Sequence, residues 1–205
     1  VVVALTGTAS QLVLIDLKRE LQIADFDAII RPKSFDRQEL TYNVISCTSA
    51  NKRNSLNTVM KTIANRLGVH DVRTDAYGVL FANYPKQVWD LYGQFAGSAP
   101  KHVREIVSSD VSTEELAVGL ACGGMPKDSP ITKDVWKEYK TKILPKFKRG
   151  YVRMLIGNAA IGVGIDNEYL NYVIAYCTPS SLESLGQQWG RAGRRSQQSQ
   201  CYLIF

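Results

Sequence analysis

Short apolar runs alternate with amphipathic helical patterns from about residue 40 to the end of the chain. The runs are continuous, which is typical of strands that are buried on both faces of a sheet. They cover residues 40–47, 78–82, 116–121, 152–156, 172–176 and 201–205. Strands that alternate with helices in this way predict an α/β fold, with a mostly parallel sheet between two layers of helices.

Between these runs, apolar side chains recur with the spacing of one helix face. The clearest stripes lie within residues 56–67, 88–95 and 136–147. We expect Gly68 and Gly150 to follow the ends of the first and third helices, and Pro85 to occupy the first turn of the second. Pro145 should kink or interrupt the third helix.

Other segments have weaker patterns. Residues 1–5 predict a buried strand, residues 14–21 a short helix, and residues 25–37 an irregular connection. We expect residues 1–25 to pack poorly. In the region 97–115, residues 102–107 could form a strand and residues 112–116 a helical turn. Ser180 and Glu183 have the spacing of a capping box at the start of a late helix.

That late helix leads into Gln187-Gln188-Trp189-Gly190-Arg191-Ala192-Gly193-Arg194. On a continuous helix, Gln187, Arg191 and Arg194 would share one face because they are spaced i, i+4 and i+7. Two guanidiniums and a carboxamide suit an anionic, oxygen-rich ligand such as a phosphate. Gly190 and Gly193 are explained if the backbone approaches another surface closely. On spacing alone, a solvated basic helix face explains the pattern equally well.

Composition narrows the class of protein. The 205 residues include 25 basic and 19 acidic side chains, a net charge of +6, which permits a nucleic-acid partner without requiring one. The four cysteines have no C-x-x-C spacing, and this favours a reduced cytoplasmic setting, or a nuclear one in a eukaryote. No apolar stretch approaches the ~18 residues of a membrane span, so no membrane partner is expected.

The arginine stretch resembles motif VI of superfamily-two helicases, and it is closest to the RecQ-like DNA helicases. Further resemblances follow in the family's order. The resemblance to motif III lies in Ala4-Leu5-Thr6-Gly7-Thr8-Ala9, and that to the entry of the second domain lies in Ser34-Phe35-Asp36-Arg37 with Leu40 and Tyr42. Residues 78–83 resemble motif IV, and residues 157–166 resemble motif V. The ordered set identifies a divergent member of the family. The resemblance implies that the sandwich is a RecA-like α/β/α domain.

The resemblance also implies a nucleotide-facing set of residues. Arg191 and Arg194 would be arginine fingers that reach the γ-phosphate across a cleft between two domains. Guanidiniums suit this task because charge spreads over the phosphate oxygens during transfer. Gln187 would help to orient this site. Gly164 and Asp166 would face the nucleotide, with the carboxylate near the ribose. Asp166 read alone could instead cap a turn.

Two further sets follow from the resemblance. Thr6 and Thr8 would couple the state of the nucleotide to domain movement, although both could be local caps. Asn83, Gly124 and Asn158 would contact the nucleic-acid backbone through side chains and main-chain N–H groups. Asn83 could also be a simple turn residue before Pro85.

The resemblance predicts two units: residues 1–36 as the end of a first helicase domain and the linker, and residues 37–205 as the second RecA-like domain. The sequence contains neither G-x-x-x-x-G-K-[ST] nor an Asp-Glu-x-His box. ATP and Mg²⁺ would therefore be held mainly by a first domain outside this sequence. The other partner would be DNA, single-stranded or partly duplex. The rival functions are an RNA helicase, a translocase that does not unwind, and a non-catalytic scaffold.

Overall fold

A six-stranded sheet forms the centre of the molecule. The computed structural model describes residues 11–24, 37–108, 116–127, 129–158, 165, 167–194 and 197–205. The strands are β1 (Leu40–Ile45), β2 (Gly78–Phe81), β3 (Leu116–Ala121), β4 (Val152–Gly157), β5 (Tyr172–Ala175) and β6 (Ser199–Ile204). Their order across the sheet is β1-β6-β5-β2-β4-β3, and every neighbouring pair is parallel. The predicted parallel sheet is confirmed.

Six helices accompany the strands in the described ranges. They are α1 (Gln11–Glu20), α2 (Lys52–Leu67), α3 (Pro85–Ala96), α4 (Ala99–Ser108), α5 (Lys133–Lys148) and α6 (Leu182–Trp189). Connections between parallel strands are right-handed as a rule, and with this strand order the rule assigns α2 and α3 to one face of the sheet and α5 and α6 to the other. The α/β/α sandwich is therefore the observed fold.

The ends of the helices follow the punctuation of the sequence. Gly68 is left-handed at φ 66°, and its N–H bonds to the carbonyls of Ala64 and Asn65, which ends α2 as predicted. Pro85 begins α3, where its missing N–H costs nothing because the first turn has no carbonyl to bond. Gly150 is also left-handed and follows α5, as expected.

Three local predictions were wrong. Residues 102–107 belong to α4 rather than to a strand, because Ala99, Val103 and Ile106 bury one helical face. Pro145 does not interrupt α5, which continues to Lys148; the proline removes one N–H, but little of the helix follows it and could be broken. The helix cap of α6 is Ser181, whose Oγ accepts from Ser184 N at 3.1 Å, and not Ser180.

The central strands carry the core, whereas the first helix does not contribute to it. Val79, Leu155 and Val173 on β2, β4 and β5 are fully buried. By contrast, Leu12 and Ile15 on α1 are 74% and 54% exposed. This agrees with the expected poor packing for the described part of residues 1–25. The predicted strand at 1–5 and the connection at 25–36 lie outside the described residues.

Candidate functional site

The parallel strands give the sheet two distinct edges. We define the amino edge as the side where the strands begin and the carboxyl edge as the side where they end. Asn83 follows β2, Gly124 follows β3, and Asn158 follows β4 directly. These three strands are neighbours in the order β2-β4-β3. The fold therefore brings all three residues that the resemblance assigned to nucleic acid to one part of the carboxyl edge.

The three residues differ in how open they are. Asn83 is exposed, but its Nδ2 donates to Thr178 O at 3.1 Å, so the side chain also stabilises the turn after β2. Gly124 is half-buried, and a Cβ added there would meet nothing within 4 Å, which leaves its backbone open to approach. Asn158 is only 9% exposed, and its Oδ1 has no hydrogen-bond partner within the ranges described.

Basic side chains surround this edge, and none of them is among the site residues predicted from the sequence. Lys52 and Arg53 begin α2, and Lys86 lies in the first turn of α3. Neither of these first turns contains an acidic residue. Lys127 adds a fourth positive charge in the loop after β3. The signal that could have found them is positional: each follows a predicted strand end closely.

The arginine stretch lies at the opposite edge. Helix α6 begins after β5 at the carboxyl edge and runs back across the sheet, so its end reaches the amino edge. The predicted continuous helix was wrong, because α6 ends at Trp189 and Gly193 is left-handed at φ 69°. Of Gln187, Arg191 and Arg194, only Gln187 lies in α6, and it is exposed. Residues 190–194 form a turn, which we call the arginine turn.

The backbone of the arginine turn is held from two sides. Arg37 Nη2 donates to Ala192 O at 3.1 Å and to Gly193 O at 3.4 Å. Gly193 N donates to the Oγ of Ser199, at the start of β6, at 3.1 Å. Arg37 also forms a salt bridge with Glu39 and so lowers the pKa of that carboxyl group. A segment before β1 thus fixes a turn 155 residues away in sequence.

Gly193 fits where no other residue would. A Cβ at this position would lie 2.7 Å from Glu39 Cγ and 2.7 Å from Leu40 Cδ2. The close approach anticipated for the glycines is therefore present at Gly193, and the surface that it approaches is the segment that leads into β1. The geometry of the turn depends on this contact as well as on the left-handed backbone.

The two arginines are half-buried. Arg191 Nη1 donates to Ile165 O at 3.4 Å, which explains part of its burial. Ile165 stands between Gly164 and Asp166 in the sequence. Those two residues, like Thr6 and Thr8, lie outside the described residues. The contact brings Ile165, one described residue of the stretch assigned to motif V, against the arginine turn.

The ranges that the structure describes contain no group of three or more His, Cys, Asp or Glu side chains that could hold a metal ion. They also contain no helix of the length and apolar character that crossing a membrane requires.

Comparison with known proteins supports the fold. Residues 127–196 match the family model described as the helicase conserved C-terminal domain. Nearly the whole chain also superposes on a Dbp5 variant of S. cerevisiae bound to RNA and ADP BeF3, with a TM-score of 0.66, 16% identity and coverage of 98% of this chain and 44% of that one. The chain has the fold of a helicase C-terminal domain.

Curated relatives include both DNA and RNA helicases. The chain is 24% identical over 205 residues to the ATP-dependent DNA helicase RecQ of Bacillus subtilis, which covers 100% of this chain and 28% of that protein. It is also 24% identical over 204 residues to a protein of Acanthamoeba polyphaga mimivirus described as an ATP-dependent RNA helicase, with 100% and 30% coverage. The chain thus spans less than a third of the length of these two relatives.

Proposed function

We propose that this chain is the second RecA-like domain of an ATP-dependent DNA helicase that couples hydrolysis to translocation and unwinding. In this proposal, residues 37–205 form the domain and residues 1–36 are the end of the first domain with its linker. The observation that carries the proposal is the arginine turn, whose backbone is held at the amino edge by the side chains of Arg37 and Ser199. A preorganised pair of guanidiniums is what a developing phosphate charge requires.

The division of labour follows from the residues present. Arg191 and Arg194 would bind the γ-phosphate of ATP held by another domain, with Gln187 orienting the site and Gly164 and Asp166 facing the nucleotide. No acidic cluster in the described part of the chain suits Mg²⁺. The ion and the remaining phosphate contacts would therefore come from the first domain, and Thr6 and Thr8 would couple the two.

The carboxyl edge would hold the nucleic-acid strand. Asn83, Gly124 and Asn158 would contact the backbone, and the basic side chains around them would attract its phosphates. The RecQ relative and the motif resemblance support DNA as the partner. An RNA helicase is the second candidate, because the mimivirus relative is described as one and the yeast structure contains RNA.

This proposal predicts weak and salt-dependent binding of single strands by the chain itself. Only part of the track is present, and most contacts would be to phosphates, each of which releases about 0.7 counterions on a single strand. Titrating a labelled DNA oligonucleotide at two salt concentrations should show affinity falling steeply with salt. The same titration with RNA distinguishes the two candidates, while tight, salt-insensitive, sequence-selective binding would contradict the proposal.

Removal of the guanidinium that holds the arginine turn should impair hydrolysis more than folding. In the full-length protein, Arg37→Ala should lower ATP turnover by at least about tenfold, because a misplacement of about 1 Å can cost on the order of 10²-fold. The loss of partly exposed hydrogen bonds should lower the free energy of unfolding by only about 1–2 kcal/mol. ATPase assays and urea titrations measure the two effects.

Arg73→Ala is the matched control for this experiment. Its guanidinium is 40% exposed and pairs with Asp71 two residues away, much as the Arg37 side chain, 38% exposed, pairs with Glu39. The hydrogen bonds of Arg73 in the described structure run to Asp71 and not to the turn. Arg73→Ala should therefore lower the free energy of unfolding by a similar amount and leave ATP turnover unchanged. Equal loss of turnover in both variants would refute a positioning role for Arg37.

A further inference from the structure

An exposed aromatic ring stands in the middle of the carboxyl edge. Tyr84 follows β2, a central strand of the sheet, and lies between Asn83 and Pro85. Its side chain is 69% exposed. Among the aromatic residues of the described ranges it is the most exposed, ahead of Tyr42 at 48%. This ring contributes little to the core.

The N-cap position of α3 does not explain why residue 84 is a tyrosine. Tyr84 occupies the N-cap of α3 with φ −115° and ψ 145°, and its side chain makes no capping hydrogen bond. The side chains that stabilise this position are short and polar, chiefly Ser, Thr, Asp and Asn. A serine at residue 84 could accept a bond from the first turn of α3, as Ser181 does for α6. The ring therefore occupies a place where a smaller side chain would serve the fold better.

The surroundings of Tyr84 indicate a ligand that is both anionic and aromatic. Lys86, two residues further on, and Lys127 line a groove of about 710 Å³ beside α3, to which Asp90 also contributes; Tyr84 lies outside the lining of this groove. Asn83 and the open backbone of Gly124 lie at the ends of β2 and β3. Single-stranded nucleic acids are bound by such combinations: cations for the phosphates and aromatic faces on which the bases stack.

We propose that Tyr84 is a stacking platform for one nucleobase of the strand held at the carboxyl edge. This inference rests on the proposed function, since it requires the strand to follow that edge. It adds a contact of a different kind, because the other contacts proposed there are to the backbone. Stacking on a ring tolerates any base, so the contact would add affinity without sequence preference.

The test compares variants of the chain on two ligands. Tyr84→Ser removes the ring and permits a cap, and Tyr84→Phe keeps the ring and removes the hydroxyl. Each is titrated at low salt with a labelled single-stranded DNA of about 15 nucleotides and with an abasic strand of equal length. The abasic strand retains the phosphates and lacks the bases, so it isolates stacking. Thermal unfolding of each variant is followed in parallel.

We expect Tyr84→Ser to weaken binding of the intact strand by about 5- to 150-fold. The same variant should bind the abasic strand as the original chain does, and its melting temperature should not fall. Tyr84→Phe should retain affinity within about twofold, because the ring face remains. Unchanged binding of the intact strand by Tyr84→Ser would overturn the inference, as would an equal loss on the abasic strand. Both results leave the proposed track intact, whereas failure of the original chain to bind either strand would refute the track and the inference together.

Discussion

Replacing Arg191 or Arg194 with alanine in the full-length protein should lower ATP turnover by about 10³- to 10⁵-fold, the range found for arginine fingers. ATP binding should remain within a few-fold of the original, because the interaction strengthens mainly as charge develops on the transferring phosphate. Steady-state ATPase assays and equilibrium binding of a fluorescent nucleotide measure the two quantities. The double variant should be little worse than either single variant, since both guanidiniums serve one charge cluster.

Arg104→Ala provides the comparison for this experiment. Arg104 lies on α4 and donates to a backbone carbonyl, that of Pro130, but it is not part of the arginine turn. Its removal should leave turnover unchanged. Near-normal turnover in both Arg191→Ala and Arg194→Ala would show that the arginines have been assigned wrongly. Vigorous hydrolysis by the 205-residue chain alone would contradict the proposed division between two domains.

Gly193→Ala should be the most destabilising single methyl addition in the arginine turn. The left-handed backbone costs a non-glycine residue about 1–2 kcal/mol, and overpacking against Glu39 and Leu40 costs about 1–3 kcal/mol more. We therefore expect the free energy of unfolding to fall by about 2–5 kcal/mol. Urea titration measures this loss, and ATP turnover of the full-length variant should fall with it.

Gly68→Ala separates the two contributions. Gly68 has φ +66°, close to the +69° of Gly193, but a Cβ there would meet nothing within 4 Å. Its replacement should cost only the backbone term, about 1–2 kcal/mol. If both variants lose the same stability, the contact of Gly193 with the segment before β1 is not tight in solution.

Periodicity was sufficient to predict the sheet but not every helix. Continuous apolar runs such as residues 152–156 can be buried only between two layers, so their alternation with helical stripes determined the architecture. Residues 102–107 were misassigned because a short segment with two valines and an isoleucine fits a strand as well as a helix. Its burial on one face of α4 is decided by neighbouring elements, which the local sequence does not contain.

The arginine stretch shows a second limit. Residue spacing alone predicted one helix face, yet the left-handed Gly193 and the contacts of Arg37 convert the segment into a turn. The bond from Arg37 to Ala192 spans 155 positions and leaves no local pattern. What the sequence did indicate was the close approach at the glycines. The exposure of Tyr84 was equally hidden, because a tyrosine before a proline is compatible with burial or with solvent.

The segment after β4 connects the two edges of the sheet at which nucleic acid and nucleotide are proposed to bind. Asn158 follows β4 at one edge of the sheet, and only seven positions later Ile165 accepts a bond from Arg191 at the other edge. If a strand bound at the first end alters affinity for nucleotide at the second, nucleotide must alter affinity for the strand by the same factor. With a non-hydrolysable nucleotide, four dissociation constants can be measured: that of the nucleotide with and without the nucleic-acid strand, and that of the strand with and without the nucleotide. The ratio of the first two must equal the ratio of the last two. One measured coupling energy would thus describe both how the strand recruits ATP and how ATP tightens or releases the strand.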